Sequence, residues 1–253
     1  MYSRLELEDS GSGGGGADRS SAFSEVADSS FFSEIPQKTS FLFLRHGRTE
    51  GNATFTFQGR LDYPLDELGM SQAEAAAAWI ASRGADYLAT SPLRRARQTA
   101  EAVAAALGSS SPEVLASLVE VDVGIFSGVE AGRAEKEHEA IFREFGYRSW
   151  DAVPNAETSA QMYARAMLSW KILRAKALAG ARLLVCVTHG GTLQWLFRST
   201  FGARTWLPLV PAGNCGVFEF VAEPSSPGRP AFVQWARVNF IPPGVEMGTK
   251  PLF

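Results

Sequence analysis

Two apolar runs in this chain stop abruptly at a histidine. Phe41-Leu42-Phe43-Leu44 ends at Arg45-His46-Gly47, and Leu183-Leu184-Val185-Cys186-Val187 ends at Thr188-His189-Gly190-Gly191. Apolar runs this short, closed by glycine, predict buried strands rather than helices. The chain has only three histidines, so placing two of them at strand ends constrains fold and chemistry together. In an open α/β sheet, ligands bind beyond the carboxyl ends of the strands, where loops and helix N-termini converge. Two imidazoles delivered to such ends predict a single site.

The intervening pattern alternates strands and helices. Ser71-x-x-Glu74 reads as a capping box opening an alanine-rich helix to about Arg83. Residues 86–90 read as a short strand, and Ser91-Pro92 as the N-cap and first position of the next helix. Leu93, Ala96, Ala100, Val103 and Leu107 give that helix an apolar stripe. Strands are expected near 114–121, 182–187, 215–222 and 231–239, and helices up to about 145, over 158–178 and over 191–201. Such alternation predicts an α/β three-layer sandwich, with a mostly parallel sheet covered by helices on both faces. Residues 39–253 would form one domain. Residues 1–38 read as a disordered tail, because four consecutive glycines (Gly13 to Gly16) amid Ser, Asp and Glu bury too little apolar surface to offset ordering entropy. Phe31-Phe32 and Ile35-Pro36 are the residues that would end the tail by docking on the domain.

Composition narrows the function classes. A net charge of −3, from 24 Lys+Arg against 27 Asp+Glu, gives no basic field for nucleic acid. Cys186 and Cys215 both fall in apolar runs, as small buried hydrophobes in a reducing cytoplasm do. No Cys-x-x-Cys or His-x-x-x-His spacing argues for a metal. The N-terminus lacks the apolar core of a signal peptide, and no apolar stretch is long enough to span a bilayer. The expectation is a cytoplasmic protein with a small-molecule partner, no membrane or nucleic-acid partner, and no cofactor; nothing here speaks to oligomeric state.

The residues around His46 suit phosphoryl chemistry. A histidine nucleophile must be neutral, and nearby guanidinium groups depress its pKa. The same guanidiniums attract a phosphate and stabilise the charge on its equatorial oxygens. Asn52 and Gln58-Gly59-Arg60 follow in one loop and supply amide donors. Arg94 lies in the first turn of the Ser91-Pro92 helix, where a helix N-terminus favours an anion; of Arg94, Arg95 and Arg97, at least one is expected to be solvated surface. Glu120, at the end of an apolar run, is a candidate general acid whose pKa desolvation would raise. His138, within Glu135-Lys136-Glu137-His138-Glu139, is expected to be solvated.

The set Leu-Arg-His-Gly, Asn52, Gln-Gly-Arg-Leu-Asp-Tyr-Pro-Leu, Ser-Pro-Leu-Arg-Arg-Ala-Arg-Gln-Thr-Ala, Glu-x-x-x-Gly-x-Phe-x-Gly and Thr-His-Gly-Gly, in that order over roughly residues 41 to 240, resembles the histidine phosphatase (phosphoglycerate mutase-like) superfamily. The resemblance implies an α/β sandwich in which His46 is phosphorylated and then dephosphorylated by water. It implies that Arg45, Arg94 and His189 hold the phosphoryl group with help from Asn52, Gln58, Gly59 and Gly190, and that Glu120 donates the proton, with no metal. Two positions depart from the pattern: Arg48 where the family often has Glu or Gln, and Phe126-Ser127-Gly128 where it often has Trp-Glu-Gly. Glu157, in Pro154-Asn155-Ala156-Glu157-Thr158, resembles the family's Pro-x-Gly-Glu-Ser without its glycine and would hold the loop beside the site. Arg48, Tyr147 and Trp150 are placed to be tested as substrate contacts.

The function expected on these grounds is a phosphomonoesterase acting on a small phosphorylated metabolite. A phosphoglycerate mutase is the alternative within enzymes; the segment 129–156 is short and acidic, which favours hydrolysis. A non-catalytic phospho-ligand-binding or regulatory module on the same fold is the alternative outside them.

Overall fold

The computed structural model describes residues 23–109 and 111–248 of the chain. Six strands form one mixed sheet in the order β3-β2-β4-β1-β5-β6: β1 (Thr39–Arg45), β2 (Tyr87–Thr90), β3 (Glu113–Val114), β4 (Leu183–Thr188), β5 (Val217–Glu223) and β6 (Phe232–Phe240). β1 pairs with β4, β4 with β2 and β2 with β3, all in parallel; β5 is antiparallel to both β1 and β6. Only β5 is reversed, so the sheet is mostly parallel, as the sequence pattern predicts.

Strand alternation explains the two helix layers. Phe41, Phe43, Leu184, Cys186, Phe218 and Phe220 face one side, packed with Met162, Trp170 and Leu173 of α6 (Ser159–Leu178) and Leu193 and Trp195 of α7 (Gly190–Ser199). Leu42, Leu44, Val185, Val187 and Val217 face the other, packed with Ala76 and Ile80 of α2 (Glu67–Ala81) and Ala96, Ala100 and Val103 of α3 (Arg94–Leu107). A period of two along each strand thus splits one apolar run between two cores. A four-residue helix α1 (Glu50–Ala53) follows β1, and a pair, α4 (Ala131–Glu137) and α5 (Glu139–Arg148), forms a cover outside the sheet. No described helix is long and apolar enough to cross a membrane.

Three local expectations are corrected. α2 starts one turn before Ser71, with Asp66 as N-cap accepting from Gly69 N at 2.8 Å. Position 69 within this helix requires glycine because the backbone of Arg48 crosses it; a Cβ there would lie 2.0 Å from the Arg48 carbonyl oxygen. α3 starts at Arg94 rather than at Ser91-Pro92, and its N-cap, Leu93, makes no side-chain bond. The strand expected over 114–121 is two residues long, because β2 ends at Thr90 and leaves no ladder to continue. A 3-10 turn (Ala116–Leu118) takes its place.

The tail boundary also moves. Residues 1–22 lie outside the described residues, but 23–38 belong to the domain. Ala27 and Phe32 are fully buried and Ile35 nearly so. Phe32 sits between Phe41, Trp170 and Phe220, with ring centroids 5.2, 5.7 and 5.4 Å away. Ala27 N bonds Ser199 O at 3.0 Å, and Tyr163 Oη bonds Glu25 O at 2.7 Å. The aromatic pair, not the glycine run, governs this segment: two phenylalanines offset the ordering of a short stretch.

Candidate active site

β1 and β4 are parallel neighbours and end in register, Arg45 opposite Thr188, so the residues that follow both strands meet at one edge of the sheet. The His46 and His189 rings lie 5.0 Å apart, both buried. His46 Nδ1 is 2.7 Å from Gly47 O, so Nδ1 carries the proton and Nε2 offers its lone pair. That lone pair accepts from Arg95 Nε at 3.2 Å. Burial first, then Arg95 and Arg45, holds the His46 pKa well below its usual value, and the Gly47 carbonyl opposes them only in part. The imidazole is therefore neutral at physiological pH, as a nucleophile must be.

Arg95, not Arg94, is the cation at this position. Arg95 is 1% exposed, whereas Arg94 and Arg97 are exposed. Its Nη1 and Nη2 donate to Leu61 O at 2.7 Å and Gly59 O at 2.8 Å, which leaves Nε for His46. The N-terminus of α3 is also engaged: Arg94 N donates to Asp62 Oδ1 at 2.6 Å. On a helical wheel, Ala96, Ala100 and Val103 define the inner face; Arg94 falls opposite it and Arg95 at its margin. The stripe thus carried the answer, and the sequence-based choice of Arg94 followed the helix N-terminus instead. Burial pushes the Arg95 pKa down to about 10, with Glu120 and Asp62 opposing, so it remains a cation.

The remaining predicted residues gather here, some in unexpected roles. Arg45 is buried, donates through Nη1 to Ala212 O, and leaves Nε without a partner. His189 Nε2 pairs with Ser91 Oγ at 2.6 Å, while its buried Nδ1 has no partner. Burial, then Arg95, also depresses the His189 pKa well below its usual value. Asn52 Oδ1 accepts from Thr49 N at 3.2 Å and Asn214 Nδ2 at 3.1 Å, and Gln58 Oε1 accepts from Thr49 Oγ1 at 2.9 Å. Gly59 contributes its carbonyl to Arg95. Gly190 begins α7, but the next residue is the one packing demands: a Cβ on Gly191 would lie 2.7 Å from Glu120 Oε1.

Glu120 caps α7. Its Oε1 accepts from Val121 N at 2.8 Å and Thr192 N at 3.0 Å, and its Oε2 from Gly191 N at 3.2 Å. The carboxyl group is half-buried rather than desolvated.

Five residues singled out by the sequence lie outside the cluster or serve it indirectly. Arg48 pairs with Asp66 at 2.8 Å. Tyr147 is 79% exposed, and Trp150, 2% exposed, packs against Phe57 and Phe145. Glu157 is buried against Arg165. His138 is half-buried at the α4–α5 junction, its ring 5.9 Å from Phe126, rather than fully solvated. Asn214, which donates to His46 O at 3.1 Å, Thr49 and Arg165 had no motif to announce them. Among the described residues, no group of three or more His, Cys, Asp or Glu is arranged to hold a metal ion.

A model of the histidine phosphatase superfamily (branch 1) matches residues 41–235, and the chain belongs to that superfamily. It is 33% identical over 168 residues to a 2,3-bisphosphoglycerate-dependent phosphoglycerate mutase of Methylorubrum extorquens, covering 64% of this chain and 78% of that one. It is 30% identical over 208 residues to a glucosyl-3-phosphoglycerate phosphatase of Mycolicibacterium vanbaalenii, covering 76% and 89%. The native structure of a mycobacterial glucosyl-3-phosphoglycerate phosphatase superposes with a TM-score of 0.67 at 25% identity, over 80% of this chain and 99% of that one. The superfamily includes phosphatases and mutases that share a phosphohistidine mechanism.

Proposed function

We propose that this protein is a phosphomonoesterase that hydrolyses a small phosphorylated metabolite through a phosphohistidine on His46. One observation carries the proposal: a neutral imidazole, its Nδ1 proton donated to Gly47 O, presents Nε2 beside Arg95, and in the same cluster Arg45 Nε and His189 Nδ1 are buried without partners. Two buried polar nitrogens without partners beside the imidazole fit the equatorial oxygens of a phosphoryl group.

In the first step, His46 Nε2 attacks phosphorus, the N–P bond forms and the P–O ester bond breaks, and Glu120 protonates the departing oxygen. Arg95 moves its Nε from the imidazole to a phosphoryl oxygen as the lone pair is used. In the second step, water attacks phosphorus, Glu120 takes its proton, the N–P bond breaks and inorganic phosphate leaves.

Hydrolysis is favoured over mutase chemistry by the cover. Arg133 and Arg148 lie at the surface, paired within their own helices with Glu137 and Glu144 at 2.8 and 3.1 Å, in a segment that carries more acidic than basic residues. The phosphatase relatives support the same reading. The mutase relatives support the competing one, so the experiment compares the two. Phosphate release from small phosphomonoesters should exceed interconversion of 2- and 3-phosphoglycerate, with or without a bisphosphoglycerate primer. Primer-dependent interconversion faster than phosphate release would establish the mutase.

A further inference from the structure

We infer that the buried Arg165–Glu157 pair is a positioning device for the proton donor, holding the Glu120 segment so that its carboxyl group meets the leaving oxygen. The inference rests on the acid role proposed for Glu120.

Glu120 lies between a 3-10 turn and an irregular loop, with no strand ladder to fix its backbone. Side chains supply what the ladder does not. Arg165 Nη1 donates to Val119 O at 2.5 Å and Ser117 O at 3.1 Å, on the N-terminal side of Glu120. On the other side, Asp122 N reaches Glu157 Oε2 at 3.4 Å and Glu157 N bonds Asp122 O at 2.9 Å. Arg60 bridges the two, with Nε on Glu120 O and Nη2 on Glu157 Oε2, both at 3.3 Å.

Glu157 and Arg165 fix each other by a two-pronged contact, Nε to Oε1 at 2.8 Å and Nη2 to Oε2 at 2.7 Å. Such a fork sets orientation as well as distance, which a lysine would not reproduce. Their side chains are 14% and 8% exposed, so water competes little for these bonds. The clamp also reaches the carboxyl group's own partner: Thr192 Oγ1 donates to Val119 O at 2.6 Å and lies 3.4 Å from Arg165 Nη1, while Thr192 N holds Glu120 Oε1. Arg165 and Glu157 thus hold, between them, the residues on either side of the donor without touching the donor.

A proton donor displaced by a fraction of an ångström matters when the leaving group needs a proton and matters little when it does not. The test compares 4-nitrophenyl phosphate, whose leaving group departs as a stable anion, with glycerol 3-phosphate, whose alkoxide does not. Arg165→Met should lower kcat on the alkyl ester by about tenfold to a hundredfold, and on the aryl ester by less than about threefold, with KM little changed. Glu157→Gln, which keeps size and shape, should show the same selectivity at smaller amplitude and covers the case in which Arg165→Met does not fold. Glu120→Gln is run alongside. Selectivity in Glu120→Gln with equal losses on both esters in the clamp variants would overturn the clamp alone. No selectivity in Glu120→Gln would remove the acid role and the clamp with it.

Discussion

The floor of the site and its cover are built on opposite principles. In the floor, Arg45, His46, Arg95 and His189 are buried, and backbone carbonyls or a hydroxyl hold them in place. In the cover, no residue of α5 is buried and the charges pair with one another at the surface. What fixes the cover is a ring cluster, Phe57, Phe126, Phe142, Phe145 and Trp150, with centroids 4.5 to 6.2 Å apart. The floor specifies positions to within a hydrogen bond. The cover specifies only that an apolar face stays dry, which many sequences do equally well. Chemistry common to a superfamily therefore belongs in the first region, and substrate preference can vary in the second.

The contrast predicts a gradient of mutational effects. The largest lies at the proposed nucleophile: His46→Ala should reduce turnover to background and abolish acid-labile phosphate on the protein, measured by rapid quench with labelled substrate. Next, Arg95→Lys should lower kcat/KM by about 10²- to 10³-fold, while Arg94→Lys changes it by less than about twofold. Steady-state kinetics giving the reverse order would place the floor's cation wrongly.

Stability should follow the same division. Phe32→Ala removes a fully buried ring and should cost about 3–5 kcal/mol, against about half of that for the partly buried Phe145 of the cover, by urea denaturation. A smaller, pH-dependent contribution comes from the floor. His46 and His189 have folded pKa values below the unfolded value of about 6.5. The unfolded chain therefore binds more protons as pH falls below that value. Their contribution is complete above about pH 6.5 and is lost as pH falls toward the folded values, at no more than about 1.4 kcal/mol per pH unit for each. Denaturation at pH 7.5, 6.5 and 5.5 should show this slope, and His189→Gln should flatten it. The smallest effect belongs to the cover's surface: Arg133→Ala and Arg148→Ala should leave Tm and kcat unchanged within error.

How much of this the sequence reveals depends on whether a residue's role is written in local pattern. The strands β1 and β4 and their terminal histidines were legible because period and punctuation are local. So was the mostly parallel sheet, since alternation of elements is a one-dimensional signal. Arg95 was half legible: the stripe on α3 pointed to it, but the helix start was placed too early because Ser91-Pro92 imitates a cap. Ser91 instead meets His189. Residues 23–38 were misassigned because their partners, Trp170 and Phe220, arrive from distant parts of the chain. Asn214 was illegible for the same reason, since it reaches His46 O and Asn52 Oδ1 from the far end of the chain, and the bonds of Arg165 to Ser117 O and Val119 O are likewise long-range and to backbone groups that carry no residue code.

The strand that leads into His46 has a consequence for biosynthesis. β1 is made early, yet both of its neighbours, β4 and β5, come from the last third of the chain. During vectorial synthesis, Phe41 to Leu44 therefore remain an unsatisfied apolar strand, with two open edges, until residue 183 and beyond have left the ribosome. A nascent chain in that state offers a template for pairing with other chains. Slow translation or truncation between residues 45 and 183 should turn the chain into a client of the cell's holding chaperones.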